Sequence, residues 1–237
     1  MAQMIAETAA PSFGRAFPAA LARPLRDAPA PAAPTLDALA RTVALARDAT
    51  LFAEGDDADF VYVVVSGTIR IHKTLPDGRR QITGFLGAGD FLGLSAGESH
   101  VYSAEAVTAA SVKRIDRSRF EAVAATDAAL QRQLMAFTSS ELLAAQDQML
   151  LLGRKTARER LCSFLLALAE KARRRGEGGE RIALPMSRTD IADHLGLTLE
   201  TVSRTVTQLK TSGLIRLLDG QRVQLADIAG LRAIAQG

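Results

Sequence analysis

Two helix starts joined by a glycine, between Ser187 and about Ser212, constrain this chain more than any other feature. Ser187 and Asp190 have the spacing of a capping box, in which the hydroxyl accepts from an amide and the carboxylate reaches back to the helix start. Gly196 supplies the backbone freedom for a tight turn, and Thr198 is a second capping residue. The segment therefore predicts a helix-turn-helix.

The second helix of this motif is predicted to have one buried face and one outward face. Val202, Val206 and Leu209 follow the spacing of four and three that lines one side of a helix. The outward side chains include a glutamate, a serine and an arginine, which can hydrogen bond to base edges in the major groove. The predicted DNA-contacting residues are Ser187, Arg188, Thr198, Glu200, Thr201, Ser203, Arg204 and Thr207.

A short apolar hairpin follows the second helix. Residues 214–218 and 221–225 are predicted to be strands around Asp219-Gly220, a dipeptide that favours a tight turn, and they would form a wing. An ordinary i,i+4 ion pair on a solvated face is the alternative interpretation of Glu200 and Arg204. The capped starts, the glycine turn and the hairpin around the pair favour base recognition instead.

Positive charge is concentrated where this motif lies. The chain has a formal net charge of +3, but residues 154–237 contain 15 Lys or Arg against 9 Asp or Glu, whereas residues 1–153 contain 14 against 17. A basic segment of this kind fits attraction to DNA phosphates and predicts binding that weakens as salt rises. The absence of Trp argues against base stacking as the main mode of binding.

Short runs of β-forming residues, separated by turn signals, occupy the chain from about residue 51. The runs at 60–65, 68–71 and 81–86 are divided by glycines and by Asp77-Gly78. Short strands with regularly spaced glycines predict a small barrel or double-sheet roll. A chain of 237 residues is long enough for this domain and a second one.

A long helix is predicted between the roll and the helix-turn-helix, from about residue 127 to 152. Six positions alternate three and four residues apart, the spacing of a coiled-coil seam. They are Met135, Thr138, Leu142, Ala145, Met149 and Leu152. Core packing is the alternative, but a helix between two domains has little else against which to bury that face. We therefore predict a parallel homodimer that presents two recognition helices ~34 Å apart, about one turn of DNA.

These segments together resemble the superfamily of the cyclic-AMP receptor protein and the fumarate-nitrate regulator over roughly residues 40–230. The resemblance rests on residues 184–204, Glu54-Gly55-Asp56, Val65-Ser66-Gly67 and Gly89-Asp90-Phe91-Leu92-Gly93. Leu199 stands where the cyclic-AMP receptor has an arginine, so the triplet Glu200, Ser203, Arg204 is similar to the fumarate-nitrate regulator and FixK branches. That resemblance implies a two-fold symmetric operator with half-sites like TTGAT, whose central G·C pair is read by Arg204 and Glu200.

The expected fold class is α+β, with an N-terminal β-roll of the cyclic-nucleotide-binding, jelly-roll type, a long dimerisation helix and a C-terminal winged helix-turn-helix. The expected segments are a disordered Ala- and Pro-rich leader at 1–35, the β-roll at 36–126, the helix at 127–153 and the DNA-binding domain at 154–237. A hinge is expected at Gly153-Arg154-Lys155. The leader does not resemble a signal peptide, and no run of ~18 apolar residues occurs, so we expect a cytoplasmic protein with no membrane span.

Residue types in the β-roll decide which effectors are expected. Superfamily members that bind cyclic nucleotide use a Glu for the ribose and an Arg for the cyclic phosphate, and Leu94 and Tyr102 stand at the matching positions here. An iron–sulfur cluster needs about four cysteines, and the chain has one. We therefore expect no bound cofactor. In this respect the chain resembles the FixK subgroup, whose members need no ligand.

Other sensors and activities stay open as alternatives. Cys162 is expected to be an inert buried thiol, with a redox switch as the alternative. Haem would have to use His72 or His100, and a small-molecule-gated regulator is also possible. These histidines form no His-x-His pair, so we expect neither a metal site nor an enzyme. The resemblance also implies contact with RNA polymerase, for which the turn at 75–79 is a candidate and a solvated hairpin the alternative.

Overall fold

The computed structural model describes residues 33–94, 97–218 and 221–236. The predicted leader at residues 1–35 lies outside the described residues except for its last three positions. Those positions begin the first helix, α1 (Ala33–Leu39), so helical structure starts before the predicted boundary. Leu36 and Leu39 pack against an apolar cluster that contains Val61, Phe91 and Ile115, which fixes the helix there.

Eight strands in the N-terminal half form two four-stranded antiparallel sheets. They are β1 (Arg41–Leu45), β2 (Thr50–Phe52), β3 (Phe60–Ser66), β4 (Ile69–Thr74), β5 (Arg80–Leu86), β6 (Phe91–Leu92), β7 (Ser103–Ala106) and β8 (Ala110–Asp116). The strand orders are β1-β8-β3-β6 and β2-β7-β4-β5. Apolar side chains from both sheets, including Val64, Ile69 and Val112, form one core between them. The predicted double-sheet roll is thus confirmed.

Two helices follow the roll, α2 (Arg117–Thr126) and α3 (Ala128–Arg154). The Asp127 carboxylate caps α3 by accepting hydrogen bonds from the amides of Ala129 and Leu130. The predicted hinge is wrong for Gly153 and Arg154, which remain helical, and only Lys155 has extended backbone angles. The Arg160 guanidinium donates to the carbonyls of Leu152 and Lys155 at 2.9 and 2.8 Å, which ties the last turn of α3 to the next helix.

The C-terminal half is a winged helix-turn-helix. Its elements are α4 (Ala157–Arg174), β9 (Arg181–Ala183), α5 (Arg188–Leu195), α6 (Leu199–Thr211), β10 (Ile215–Leu218), β11 (Arg222–Leu225) and α7 (Ile228–Gln236). The strands form one antiparallel sheet in the order β10-β11-β9. β10 and β11 are the predicted wing, whose turn at Asp219-Gly220 lies outside the described residues. Two of these elements, β9 and α7, were not predicted from the sequence.

The two domains share one apolar core. Ile82, Phe85 and Val107 of the β-roll belong to the same buried cluster as Leu161 of α4 and Leu195 of α5. The rings of Phe85 and Phe164 lie 6.2 Å apart across this contact. The DNA-binding domain is therefore packed onto the outer face of the β2-β7-β4-β5 sheet rather than tethered by α3 alone.

Burial lowers the pKa of each of the chain's three histidines. His72 and His194 lie at the contact between the domains, and His100 lies inside the β-roll, where its ring stacks on Phe52. The main cause is the same for all three, since burial disfavours the charged imidazolium. The positive charge of Lys171 adds to the lowering at His194, and those of Arg70 and Arg80 add to it at His72.

These shifts predict that acid destabilises the fold. A histidine with a lowered pKa in the folded state binds fewer protons than in the unfolded chain, so its stabilisation is complete above the unfolded pKa of about 6.5 and is lost as the pH falls below it. Each histidine can contribute at most about 1.4 kcal/mol per pH unit. We expect urea unfolding to give a lower free energy at pH 5.5 than at pH 7.5. Replacing His194 with Gln should reduce that difference, and equal stability at both pH values would contradict the prediction.

Candidate nucleic-acid interface

The first helix of the motif begins with the predicted capping box. The Asp190 amide donates to the Ser187 hydroxyl at 3.0 Å, and the Asp190 carboxylate accepts from the Ser187 amide at 3.0 Å and from the Ser187 hydroxyl at 2.7 Å. The helix ends at Gly196, which has a left-handed conformation with φ of 61°. This conformation favours glycine and makes the sharp turn into α6 possible.

The second helix has the two faces that the sequence predicts. Val202, Val206 and Leu209 are buried, while Glu200, Ser203, Arg204 and Thr207 are exposed along the opposite side. Thr205, which was not among the predicted core residues, is also buried, and its hydroxyl donates back to a main-chain carbonyl of α6. A polar residue is tolerated at this buried position because its hydroxyl is satisfied within the helix.

The hydroxyls of the two threonines near the start of α6 are hydrogen bonded within the helix cap. The Thr198 hydroxyl accepts from the Thr201 amide at 3.2 Å, and its oxygen lies 3.0 Å from the Thr201 hydroxyl oxygen. Thr207 is exposed, but its hydroxyl donates to the Ser203 carbonyl at 3.0 Å. Toward a base, Thr207 therefore offers an accepting oxygen and a methyl group, whereas Thr198 and Thr201 primarily hold the helix start.

Glu200 and Arg204 do not pair with each other among the described residues. The pKa of Glu200 is lowered by hydrogen bonds from the Glu200 amide and from the Thr198 hydroxyl, so this exposed carboxylate is ionised at neutral pH. The Arg204 guanidinium has no hydrogen-bond or ion-pair partner in the part of the chain that the structure describes. The i,i+4 ion pair considered from the sequence is therefore not formed, and both groups are open to an external partner.

The start of α5 and the wing flank this surface. Ser187 is exposed, although its hydroxyl serves the capping box, and Arg188 is half-buried, which lowers the pKa of its guanidinium. The wing presents Arg216 and Leu217 to solvent on β10. Arg216 was not among the predicted DNA-contacting residues, although its position between apolar strand residues could have identified it.

The chain matches the sequence models of two protein families, and most of its length aligns with known regulators. A Crp-like helix-turn-helix domain matches residues 159–234, and a cyclic nucleotide-binding domain matches residues 42–127. The nitrogen fixation regulation protein FixK of Azorhizobium caulinodans is 46% identical over 198 residues, which are 83% of this chain and 80% of that protein. The chain belongs to the FixK branch of the Crp/Fnr superfamily.

Two further relatives agree with this assignment. The transcriptional activatory protein AadR of Rhodopseudomonas palustris is 42% identical over 78% of either chain. The solved structure of FixK2 from Bradyrhizobium japonicum has a TM-score of 0.75 and 44% identity, and the match covers 82% of this chain and 96% of that one. The resemblance stated from the sequence and the expected fold class are confirmed. As a Crp/Fnr protein, the chain is a transcription regulator with a helix-turn-helix DNA-binding domain.

Two positions in the β-roll decide whether this Crp/Fnr regulator could hold a cyclic nucleotide. Leu94 packs beside the apolar cluster that contains Phe91, and Tyr102 lies against the β-roll core, where burial raises the pKa of its phenol. His100 stacks on Phe52 with ring centroids 3.6 Å apart. Neither of the two matching positions supplies a carboxylate or a guanidinium, so these residues do not fit the ribose and phosphate of a cyclic nucleotide.

Cys162 lies in the core of the DNA-binding domain. Its side chain is fully buried on α4, and burial raises the pKa of the thiol to about 11. A thiol with that pKa is neutral at physiological pH and is a poor nucleophile. This environment agrees with an inert buried thiol rather than with a redox switch.

Within residues 33–94, 97–218 and 221–236, no three His, Cys, Asp or Glu side chains group in a way that could hold a metal ion. None of the helices described for this chain combines the length and the apolar character needed to cross a membrane.

Five of the six predicted dimerisation residues lie on the exposed surface of α3, namely Met135, Thr138, Leu142, Ala145 and Met149. Leu152 does not, because it packs against the core of its own DNA-binding domain. Leu143 and Leu150, which the sequence analysis missed, are 59% and 63% exposed. The seven-residue spacing of these two leucines could have identified them from the sequence. The α3 apolar face, defined as Met135, Leu142, Leu143, Met149 and Leu150, is therefore rotated away from Leu152.

Proposed function

We propose that this regulator binds a two-fold symmetric operator as a homodimer, with half-sites similar to TTGAT, and that it does so without cyclic nucleotide or an iron–sulfur cluster. One observation carries the proposal: Glu200, Ser203 and Arg204 are exposed together on a capped helix whose opposite face is buried. Polar groups held in this way need no rearrangement before they meet a base edge.

The chemistry of the outward residues matches a G·C base pair. An arginine can donate two hydrogen bonds to guanine O6 and N7, and a glutamate can accept from cytosine N4. Arg204 and Glu200 lie four residues apart, about one helical turn, so both side chains lie on the same face of α6. Glu200 is ionised and Arg204 is unpaired, as this pairing requires.

A second copy of the chain is the proposed occupant of the α3 apolar face. Three of its large side chains, Met135, Leu142 and Met149, recur every seven residues and are 70%, 60% and 67% exposed. Apolar side chains of this size at heptad spacing are typical of a coiled-coil seam. A two-fold dimer through this face would place two recognition helices on one side of the DNA, which a symmetric operator requires.

Independence from an effector is supported by the β-roll itself. Leu94 and Tyr102 do not fit a cyclic nucleotide, and the chain contains a single cysteine, which is buried. The regulator would then be competent to bind DNA as soon as it folds and dimerises, and its abundance would set its activity.

We also propose that this regulator contacts RNA polymerase through the turn between β4 and β5, as an activator would. Leu75 is 44% exposed, and Arg79 and Asp77 are also exposed and pair with each other at 2.7 Å. AadR, whose name describes a transcriptional activator, is one of the relatives. The turn lies outside the α6 surface, so it would stay accessible to a polymerase while DNA is bound.

Replacing Arg204 with Ala tests the base-reading assignment. We expect the substitution to cost about 1–3 kcal/mol at a TTGAT palindrome, because the bidentate contact with guanine is lost, and to leave binding to scrambled DNA largely intact. Fluorescence anisotropy with both DNA duplexes, with and without added cyclic AMP, measures this difference.

Lys210 provides a matched control, since it is an exposed cation near the end of the same helix. Lys210→Ala should weaken binding to the palindrome and to scrambled DNA by similar factors. An unchanged preference for the palindrome in Arg204→Ala, or a change in affinity on addition of cyclic AMP, would contradict the corresponding part of the proposal.

Replacing Leu142 with Asp tests the dimer. A carboxylate in the centre of an apolar seam should separate the protomers, halve the mass measured by light scattering and weaken binding to the full palindrome. Ala144→Asp adds the same charge to an exposed position on roughly the opposite side of α3 and should leave the dimer intact. A dimeric Leu142→Asp protein would exclude this face from the interface.

A further inference from the structure

Two arginines of the β-roll reach the first helix of the helix-turn-helix. Arg80 of β5 contacts two aspartates of α5: its Nη2 lies 2.8 Å from Asp190 Oδ1 and 2.9 Å from Asp193 Oδ2, and its Nε donates to Asp193 at 3.0 Å. Arg70 of β4 contacts Asp190 Oδ1 through Nη1 at 3.3 Å. We call this group of four residues the interdomain clasp. A guanidinium suits the role because its planar fork can bridge two carboxylates.

The clasp is largely withdrawn from water. The Asp190 side chain is 5% exposed and that of Arg70 is 11% exposed. Glu105 of β7 anchors the arginines from the β-roll side, at 2.7 Å from Arg70 and 3.7 Å from Arg80. A carboxylate buried to this degree is costly unless it is paired and hydrogen bonded. The pairing with the two arginines therefore offsets the cost of burying the Asp190 charge while the domains are packed together.

Asp190 also connects the clasp to the local structure of α5. Its Oδ2 accepts from the Ser187 amide and hydroxyl in the capping box, while its Oδ1 accepts from the two arginines. One carboxylate thus holds the start of α5 and binds it to the β-roll. The orientation of the helix start cannot change without changing this contact.

The other end of α5 is also held by the β-roll. His194 Nδ1 lies 3.0 Å from the Ile82 carbonyl oxygen, and the imidazole ring lies 5.4 Å from the rings of both Phe85 and Phe164. The His194 carbonyl accepts from the Gln81 side chain at 3.3 Å. A helix fixed near both ends cannot pivot on the sheet, and α6 follows α5 through the tight turn at Gly196.

We infer that Arg70 and Arg80 are positioning residues for operator binding: acting through Asp190 and Asp193, they hold the helix-turn-helix in one orientation on the β-roll without any ligand. The outward residues of α6 are exposed while the clasp is formed, so this orientation leaves the recognition surface open. The inference rests on the proposed function, because a fixed orientation matters most when two recognition helices must match one palindrome.

Replacing Arg80 with Met tests the inference, with Lys73→Met as the control. Lys73 is another cation of the β-roll, but it is exposed and pairs with Glu54 rather than with α5 among the described residues. Affinity is measured for a full palindrome and for a single half-site, and hydrogen–deuterium exchange is measured across the full chain. Asp193→Asn serves as the second variant, because it removes a clasp contact without touching the capping box.

We expect Arg80→Met and Asp193→Asn to lower palindrome affinity about tenfold, because only a fraction of the dimers then has both helices correctly oriented. Half-site affinity should stay within about twofold, since one domain binds it in any orientation. Deuterium uptake should rise in α5 and β5 but not in the wing, and Lys73→Met should resemble the unsubstituted protein.

Other results would overturn the inference. Unchanged palindrome affinity would show that the clasp does not position the domain, and an equal loss at both DNA sites would show a purely structural role. If the unsubstituted protein does not prefer the palindrome to scrambled DNA, the proposed function fails instead. In that case hydrogen–deuterium exchange still tests whether the clasp holds α5. Unchanged deuterium uptake in both variants would show that the clasp does not hold this helix.

Discussion

The arrangement of the two domains depends on the carboxylate of Asp190. One oxygen closes the first turn of α5, and the other accepts from two arginines of the β-roll. Because this side chain is almost fully buried, its charge is tolerable only while those donors remain in place. The local start of the helix-turn-helix and the contact between the domains are therefore stabilised by the same group. The shared apolar core around Phe85 and Phe164 holds the rest of the contact.

The inner and outer faces of the β2-β7-β4-β5 sheet have different roles in this structure. Toward the interior, Tyr102 packs beside Phe52 at the position where a nucleotide-binding roll needs an Arg. Leu94, at the position of the Glu, follows a strand of the other sheet and packs with the cluster that contains Phe91. On the outer face, Arg70 and Arg80 form ion pairs with Asp190 of α5. A roll whose residues do not fit a cyclic nucleotide thus keeps an extensive contact with the DNA-binding domain.

Local features were predictable from the sequence, and contacts between distant segments were not. The capping box at Ser187, the turn at Gly196 and the buried face at Val202 and Leu209 each depend on residues within a few positions, so spacing alone identified them. Arg80 and Asp190 are 110 residues apart, and nothing local marks them as partners. The position of Leu152 was predicted wrongly for the same reason, since its neighbours come from a domain that the helical pattern cannot describe.

The central claim is that two copies of α6 read a symmetric operator through Glu200, Ser203 and Arg204. Selection of bound sequences from random duplex DNA, followed by sequencing, tests it most directly. Inverted repeats of a TTGAT-like half-site, with centres about one turn of DNA apart, should dominate the selected pool without any added effector. Enrichment of single, unpaired sites, of direct repeats, or of no sequence at all would contradict the claim.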